Sequence, residues 1–207
     1  MKGENILVKE GILMNMNKKK FVLYFLLVLM VITVTACTKP ESELATATEK
    51  EKSVSVWRSY IHEETGASFI YPDEWEVDEL DPNVLVMIKC PDAGNITLEV
   101  EKHPFLAPAA TVQIEENESK LTMNENVLGI GKYKRLDLEE LDIFITKAAI
   151  VTYEAEILQL GDVFVAQQLV VPYLDSTFYL TCIIDKDEWP AYKDIFNQVL
   201  RSFTFVN

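Results

Sequence analysis

Six carboxylates crowd into nine residues: Asp73, Glu74, Glu76, Asp78, Glu79 and Asp81. Converging oxygens are what a hard divalent cation such as calcium takes as ligands. The spacing is not that of an EF-hand loop, and a solvated acidic loop is the simpler account of the run. Asp73, Glu74, Glu76 and Asp78 are its candidate cation ligands. Other chemistry is sparse. His62 and His103 lie far apart, and neither stands at metal-ligand spacing from a cysteine. There is no Gly-x-Ser-x-Gly elbow and no His-Glu-x-x-His, and Gly129-Ile130-Gly131 lacks the Lys-Ser/Thr of a phosphate loop. Cys182 alternates with Phe178, Leu180 and Ile184, which aims it into a core, where burial raises a thiol's pKa and makes it a poor nucleophile. These residues predict neither catalysis nor a bound cofactor.

The one cysteine with a chemical context of its own is Cys37. Lys18, Lys19 and Lys20 precede an apolar run from Phe21 to Val34, broken only by Thr33, and the run ends in Val34-Thr35-Ala36-Cys37. A basic segment, an apolar segment and small residues at a cleavage point make a secretory signal. The run is shorter than the roughly 20 apolar residues that a membrane-spanning helix requires. Its end resembles the bacterial lipobox, in which the thiol receives a diacylglycerol before the chain is cut between Ala36 and Cys37. That resemblance implies a covalent lipid on Cys37, an extracytoplasmic location and attachment to the cell membrane. One acyl chain binds a bilayer only marginally, and the two or more that this pathway supplies anchor it stably. The segment ahead of Met14 and Met16 adds nothing to such a signal, so either methionine is the more ordinary start.

Beyond the signal, residues 37–207 carry 14 Lys and Arg against 31 Asp and Glu, a formal charge of −17. A surface this acidic argues against nucleic acid and against adsorption to anionic lipid. Residues 37–53 are rich in Glu, Lys, Thr, Ser and Ala with almost no large apolar side chain, the composition of a flexible tether. About 16 residues at roughly 5–6 Å × √n give it a reach on the order of 20 Å. Two cysteines remain, Cys90 and Cys182. An exported domain can bridge such a pair, although both stand in apolar, strand-like segments where free cysteine is also common.

The elements follow from periodicity. Strands are expected at Val54–His62, Ala67–Tyr71 and Val84–Cys90, the last apolar enough to be covered on both faces. Ile96, Leu98 and Val100 alternate with polar residues. After Pro104 and Pro108 the period changes, and a helix is expected at Ala109–Met123. Tyr133–Leu138 is a weaker strand, with Leu141–Ile145 a further segment of it. Strands at 149–157, Val163–Tyr173 and Thr177–Ile184 are joined by turns so short that they must run antiparallel. In the last element Tyr192, Ile195, Phe196, Val199, Leu200 and Phe203 recur at helical spacing, with Asp187 the expected cap and Pro190 in the first turn.

Two segments carry a family resemblance. Ala67-Ser68-Phe69-Ile70-Tyr71-Pro72-Asp73-Glu74-Trp75 is similar to the opening of PsbP-like (Mog1/PsbP) domains, and Trp189-Pro190-Ala191-Tyr192 through Leu200-Arg201-Ser202-Phe203 to their closing helix. The resemblance spans residues 54–207. It implies an α+β fold, an antiparallel β-sheet with helices packed on both faces as an α/β/α sandwich. Its members include a photosystem accessory protein, a factor that binds a small GTPase and bacterial lipoproteins of unassigned role, so fold does not carry function, and no functional residue transfers to this chain. The expectation is a membrane-anchored, non-catalytic module that binds another envelope protein. The alternatives are a binder of a small ligand or divalent cation, and an enzyme whose site only folding assembles.

Overall fold

In the computed structural model of the chain the described residues are 52–78, 84–92, 94–123, 129–158 and 160–206. The lipobox, Ala36 and Cys37 included, lies outside them, as do Glu79 and Asp81.

Among the described residues ten strands and two helices follow in the order β1 (Trp57–Ile61), β2 (Ala67–Pro72), β3 (Glu76–Asp78), β4 (Val86–Lys89), β5 (Asn95–Lys102), α1 (Ala110–Met123), β6 (Ile130–Ile143), β7 (Thr146–Ile157), β8 (Asp162–Tyr173), β9 (Ser176–Asp185), α2 (Trp189–Arg201) and β10 (Thr204–Phe205). The fold is α+β, and its strands form two sheets rather than one. The larger has the order β3-β4-β5-β9-β8-β7-β6 and the smaller β1-β2-β10, with every pairing antiparallel.

Strict alternation along the central strands feeds two cores. Ile150, Leu169, Val171, Phe178 and Leu180 face α2 and the small sheet, in one cluster with Phe69, Trp75, Phe196, Val199 and Leu200. Their neighbours Ala149, Val151, Val170 and Tyr179 face the other way, onto Ala110 and Ile114 of α1. Each fully buried large side chain contributes about 1.5–3 kcal/mol, so the larger cluster dominates stability.

The closing segment shows why its residue types recur together. Tyr192, Ile195, Phe196, Val199 and Leu200 form the buried stripe of α2. Ser202 donates its hydroxyl to the Val199 carbonyl at 2.6 Å and accepts the Ile70 N–H of β2 at 2.9 Å, which fixes the helix end to the small sheet. Arg201 reaches Glu139 on β6, and Phe203 turns back into the core.

Two expectations change, and two features go beyond what was expected. Val84–Cys90 alternates between buried and half-buried residues because α1 lies over β7 and β8 and not over β4, so the run is covered on one face only. The two weak segments at 133–145 are one long edge strand, β6, whose irregularities between Gly131 and Lys134 and between Arg135 and Asp137 erase the period. Asp187 does not cap α2: its N–H donates to the Asp185 carboxylate, and Glu188 stands at the cap without a side-chain bond. The two-residue β10, too short to leave a pattern, pairs with Ala67 and Ser68.

Candidate functional site

The acidic stretch does not fold as one loop. Asp73 forms an ion pair with Arg58 of β1, and Asp78, on β3, accepts the Lys89 ammonium at 2.9 Å from the neighbouring strand. That bond holds the Lys89 pKa above its ordinary value. Glu74 and Glu76 are exposed. Among the described residues no three His, Cys, Asp or Glu side chains converge as a metal centre requires. The histidines tie backbone segments together, His62 through Thr65 at 3.0 Å and His103 through Thr177 at 2.8 Å.

The bridge between Cys90 and Cys182 is not formed; both are buried free thiols. Strand order gives the reason. Cys90 directly follows β4 and Cys182 sits on β9, with β5 between them. Two strand spacings amount to about 9.5 Å, beyond the roughly 7 Å that a disulfide tolerates between Cα atoms. Burial pushes both thiols up, Cys182 most strongly.

Two other constellations emerge, one at each end of the strands. At the first, the chain enters the domain. The Lys52 ammonium pairs with Asp92, donates to the Tyr192 hydroxyl at 2.6 Å and lies 4.4 Å from the Tyr192 ring centroid. Tyr192 donates its own hydroxyl to Asp92, and desolvation, followed by a bond to Cys90, keeps that phenol well above its ordinary pKa. Trp75 closes the floor, its ring 6.1 Å from those of Tyr192 and Phe196. With a neutral phenol, a neutral thiol and a carboxylate already satisfied by two donors, the cluster is a staple for the incoming chain and offers no nucleophile.

The second constellation is apolar. The 103–109 loop, the β6–β7 turn and the β8–β9 turn meet at the opposite end. His103 and Ala107 donate backbone N–H groups to the carbonyls of Asp175 and Leu174, each at 2.8 Å, and so seat the loop against the turn. Phe105, Leu106, Phe144, Ile145 and Leu174 stand out from this end, from 54% exposed at Phe144 to 82% at Phe105. Between them lies an open cleft of about 370 Å³. Lys102–Asp175 at 3.4 Å and Lys147–Asp142 at 2.6 Å border it as matched ion pairs.

Single exposed apolar residues are ordinary, but a contiguous group marks an interaction site. The backbone sharpens the point. Phe144 and Leu174 each take the first position of a two-residue hairpin turn with φ of +53° and +54°. Glycine is usual there, and a larger residue costs on the order of 1 kcal/mol. Two large apolar side chains thus occupy strained positions and stay more than half exposed, although the Phe144 ring rests edge-on against Tyr173 and Phe205. The periodicity placed Phe144 and Ile145 in a weak strand segment and left Phe105, Leu106 and Leu174 between elements. The available signal was a Phe-Ile and a Leu-Asp pair where Asn-Gly or Gly-x is the norm.

The ten residues of β9 separate the two constellations. At about 3.3 Å per residue that is a distance of roughly 33 Å.

No protein-family model matches the chain, and no curated protein matches its sequence. Solved structures do match its shape. Cyanobacterial PsbP (CyanoP) from Synechocystis sp. PCC 6803 superposes with a TM-score of 0.55 at 17% identity, over 79% of this chain and 99% of that one. LpqN of Mycobacterium tuberculosis, a protein involved in cell envelope biogenesis, gives 0.53 at 15% identity, over 73% and 91% of the two chains. The domain therefore has the PsbP-like fold.

Proposed function

We propose that this chain is a lipoprotein anchored through Cys37 to the extracytoplasmic face of the cell membrane, and that its PsbP-like domain is a non-catalytic accessory module binding another envelope protein. One observation carries the reading: the exposed apolar loop tips stand at the opposite end of the strands from Lys52, where the tether enters. A tether of about 20 Å reach then holds one end near the lipid and presents the other outward. The likeness of fold to LpqN, itself involved in cell envelope biogenesis, supports an envelope setting. The paired state of Asp73 and Asp78 gives the cation-binding alternative no comparable support.

The test is a crosslinking pull-down from intact membranes, with the natively lipidated chain as bait and a Cys37→Ala chain as control. One abundant partner, lost in the control, is the expected result. Capture that is the same with and without Cys37, or no partner above background, would overturn it.

A further inference from the structure

Resting on that reading, we infer that the cleft among the loop tips is a docking groove for an amphipathic segment of another protein, one that projects large apolar side chains from a face of neutral or basic surroundings. Leu106, Ala107, Pro108, Ala109, Pro172 and Leu174 line the groove, with Thr146 and Lys147 completing its wall. Its volume of about 370 Å³ lies at the small end of the range of ligand clefts, roughly 300–1,000 Å³. That is room enough for a few anchoring side chains. Phe105 and Ile145 stand beside it as exposed tips that an incoming segment would cover.

The charges distinguish the possible occupants. A loop cluster that inserts into a bilayer is bordered by unmatched Lys and Arg at headgroup level. Here the two rim lysines are each matched by an aspartate, and insertion would press Asp142 and Asp175 against the headgroups. A second copy of the chain is opposed by the net charge of −17 that residues 37–207 of both copies would carry, since like-charged surfaces repel through the field of the whole molecule. A different protein that is less acidic meets neither obstacle. The placement agrees, because the groove lies roughly 33 Å along the strands from Lys52, the side of the domain that the lipid holds.

The experiment places the photoreactive residue benzoyl-phenylalanine at position 145 of the full, natively lipidated chain in intact cells. Position 115 on the exposed side of α1 serves as the control. Irradiation should give one protein adduct, with the modified residue lying in an amphipathic stretch of the partner. Adding Leu106→Asp should abolish that adduct and leave the melting temperature unchanged, since Leu106 is exposed. A phospholipid adduct, a crosslinked dimer of this chain, or an adduct no stronger than that from position 115 would overturn the groove. If the pull-down still recovers its partner while position 145 yields no protein adduct, the groove fails and the accessory-module reading stands. Loss of both would remove the broader reading as well.

Discussion

Replacing Gly66 by alanine should detach the C-terminal strand. Gly66 has φ +70°, and an added Cβ would stand 2.4 Å from the Val206 carbonyl oxygen. That oxygen is backbone, so no side chain can swing aside. The left-handed conformation alone costs a non-glycine residue about 1 kcal/mol. Relieving the contact must also lengthen the 2.8 Å bond from the Val206 N–H to the Gly66 carbonyl, worth about 1 kcal/mol. Phe205, stacked on Tyr173 with centroids 4.3 Å apart, would shift with it, and partial exposure of that ring adds roughly another 1 kcal/mol. The sum is about 3 kcal/mol, or roughly 6–12 °C in melting temperature for a domain of this size. Gly161→Ala isolates the first contribution, because Gly161 has φ +74° with nothing within 4 Å of its added Cβ. It should lower the melting temperature by only about 2–4 °C, the effect of about 1 kcal/mol. Thermal and urea denaturation of both variants would measure the difference. Equal losses would show that β10 does not press on Gly66, and the reasoning would fall.

Leu174→Asn places a residue that tolerates positive φ at a strained turn, so stability should hold or rise by up to about 1 kcal/mol while partner capture falls; a lower melting temperature with capture intact would contradict this. In a Cys37→Ala chain a thiol reagent should label neither Cys90 nor Cys182 rapidly in the native state and both in denaturant, since both are buried; fast native labelling of Cys182 would show that the sheet opens. Desolvation pushes the Tyr153 phenol up to about 12 and holds Tyr133, Tyr179 and Tyr192 higher still than ordinary phenols. The unfolded chain ionises them near pH 10 while the folded chain keeps them protonated, so their contribution is complete below that pH and is lost as pH rises toward the folded values. Denaturation midpoints should therefore fall steeply from pH 10 to 12, and less steeply in Tyr153→Phe; parallel slopes would refute the assignment.

Much of the fold was legible because burial on one face writes a period into the chain. The stripe from Tyr192 to Leu200 appears as read, with Phe203 buried just past the helix end, and Ile96 and Leu98 are buried as expected, although Thr97 between them is buried too and Val100 only half-buried. The long strand β6 read only as two weak segments of one strand because its bulges shift the phase and its edge position leaves charged residues on much of its length. Acidic density drew attention to residues 73–81, yet Arg58 and Lys89, which pair with Asp73 and Asp78, come from other strands, and nothing local announces them. The apolar end was missed for a related reason. Exposure belongs to the folded molecule, and Phe105-Leu106 or Phe144-Ile145 would read the same in a core. The disulfide could not be decided until strand order set β5 between the two cysteines.

The staple at Lys52 has a mechanical consequence. A tug between a lipid at Cys37 and a partner held at the loop tips would run lengthwise through the domain. Its path enters at Lys52, clasped by Asp92 and Tyr192, and passes into β1, which is paired with β2 from Trp57 opposite Pro72 to Ile61 opposite Ser68. Because β1 lies along the line of pull, its ladder is loaded in shear, with all its bonds bearing the strain together instead of opening in turn. The clasp would yield first and lengthen the leash while the sheet held.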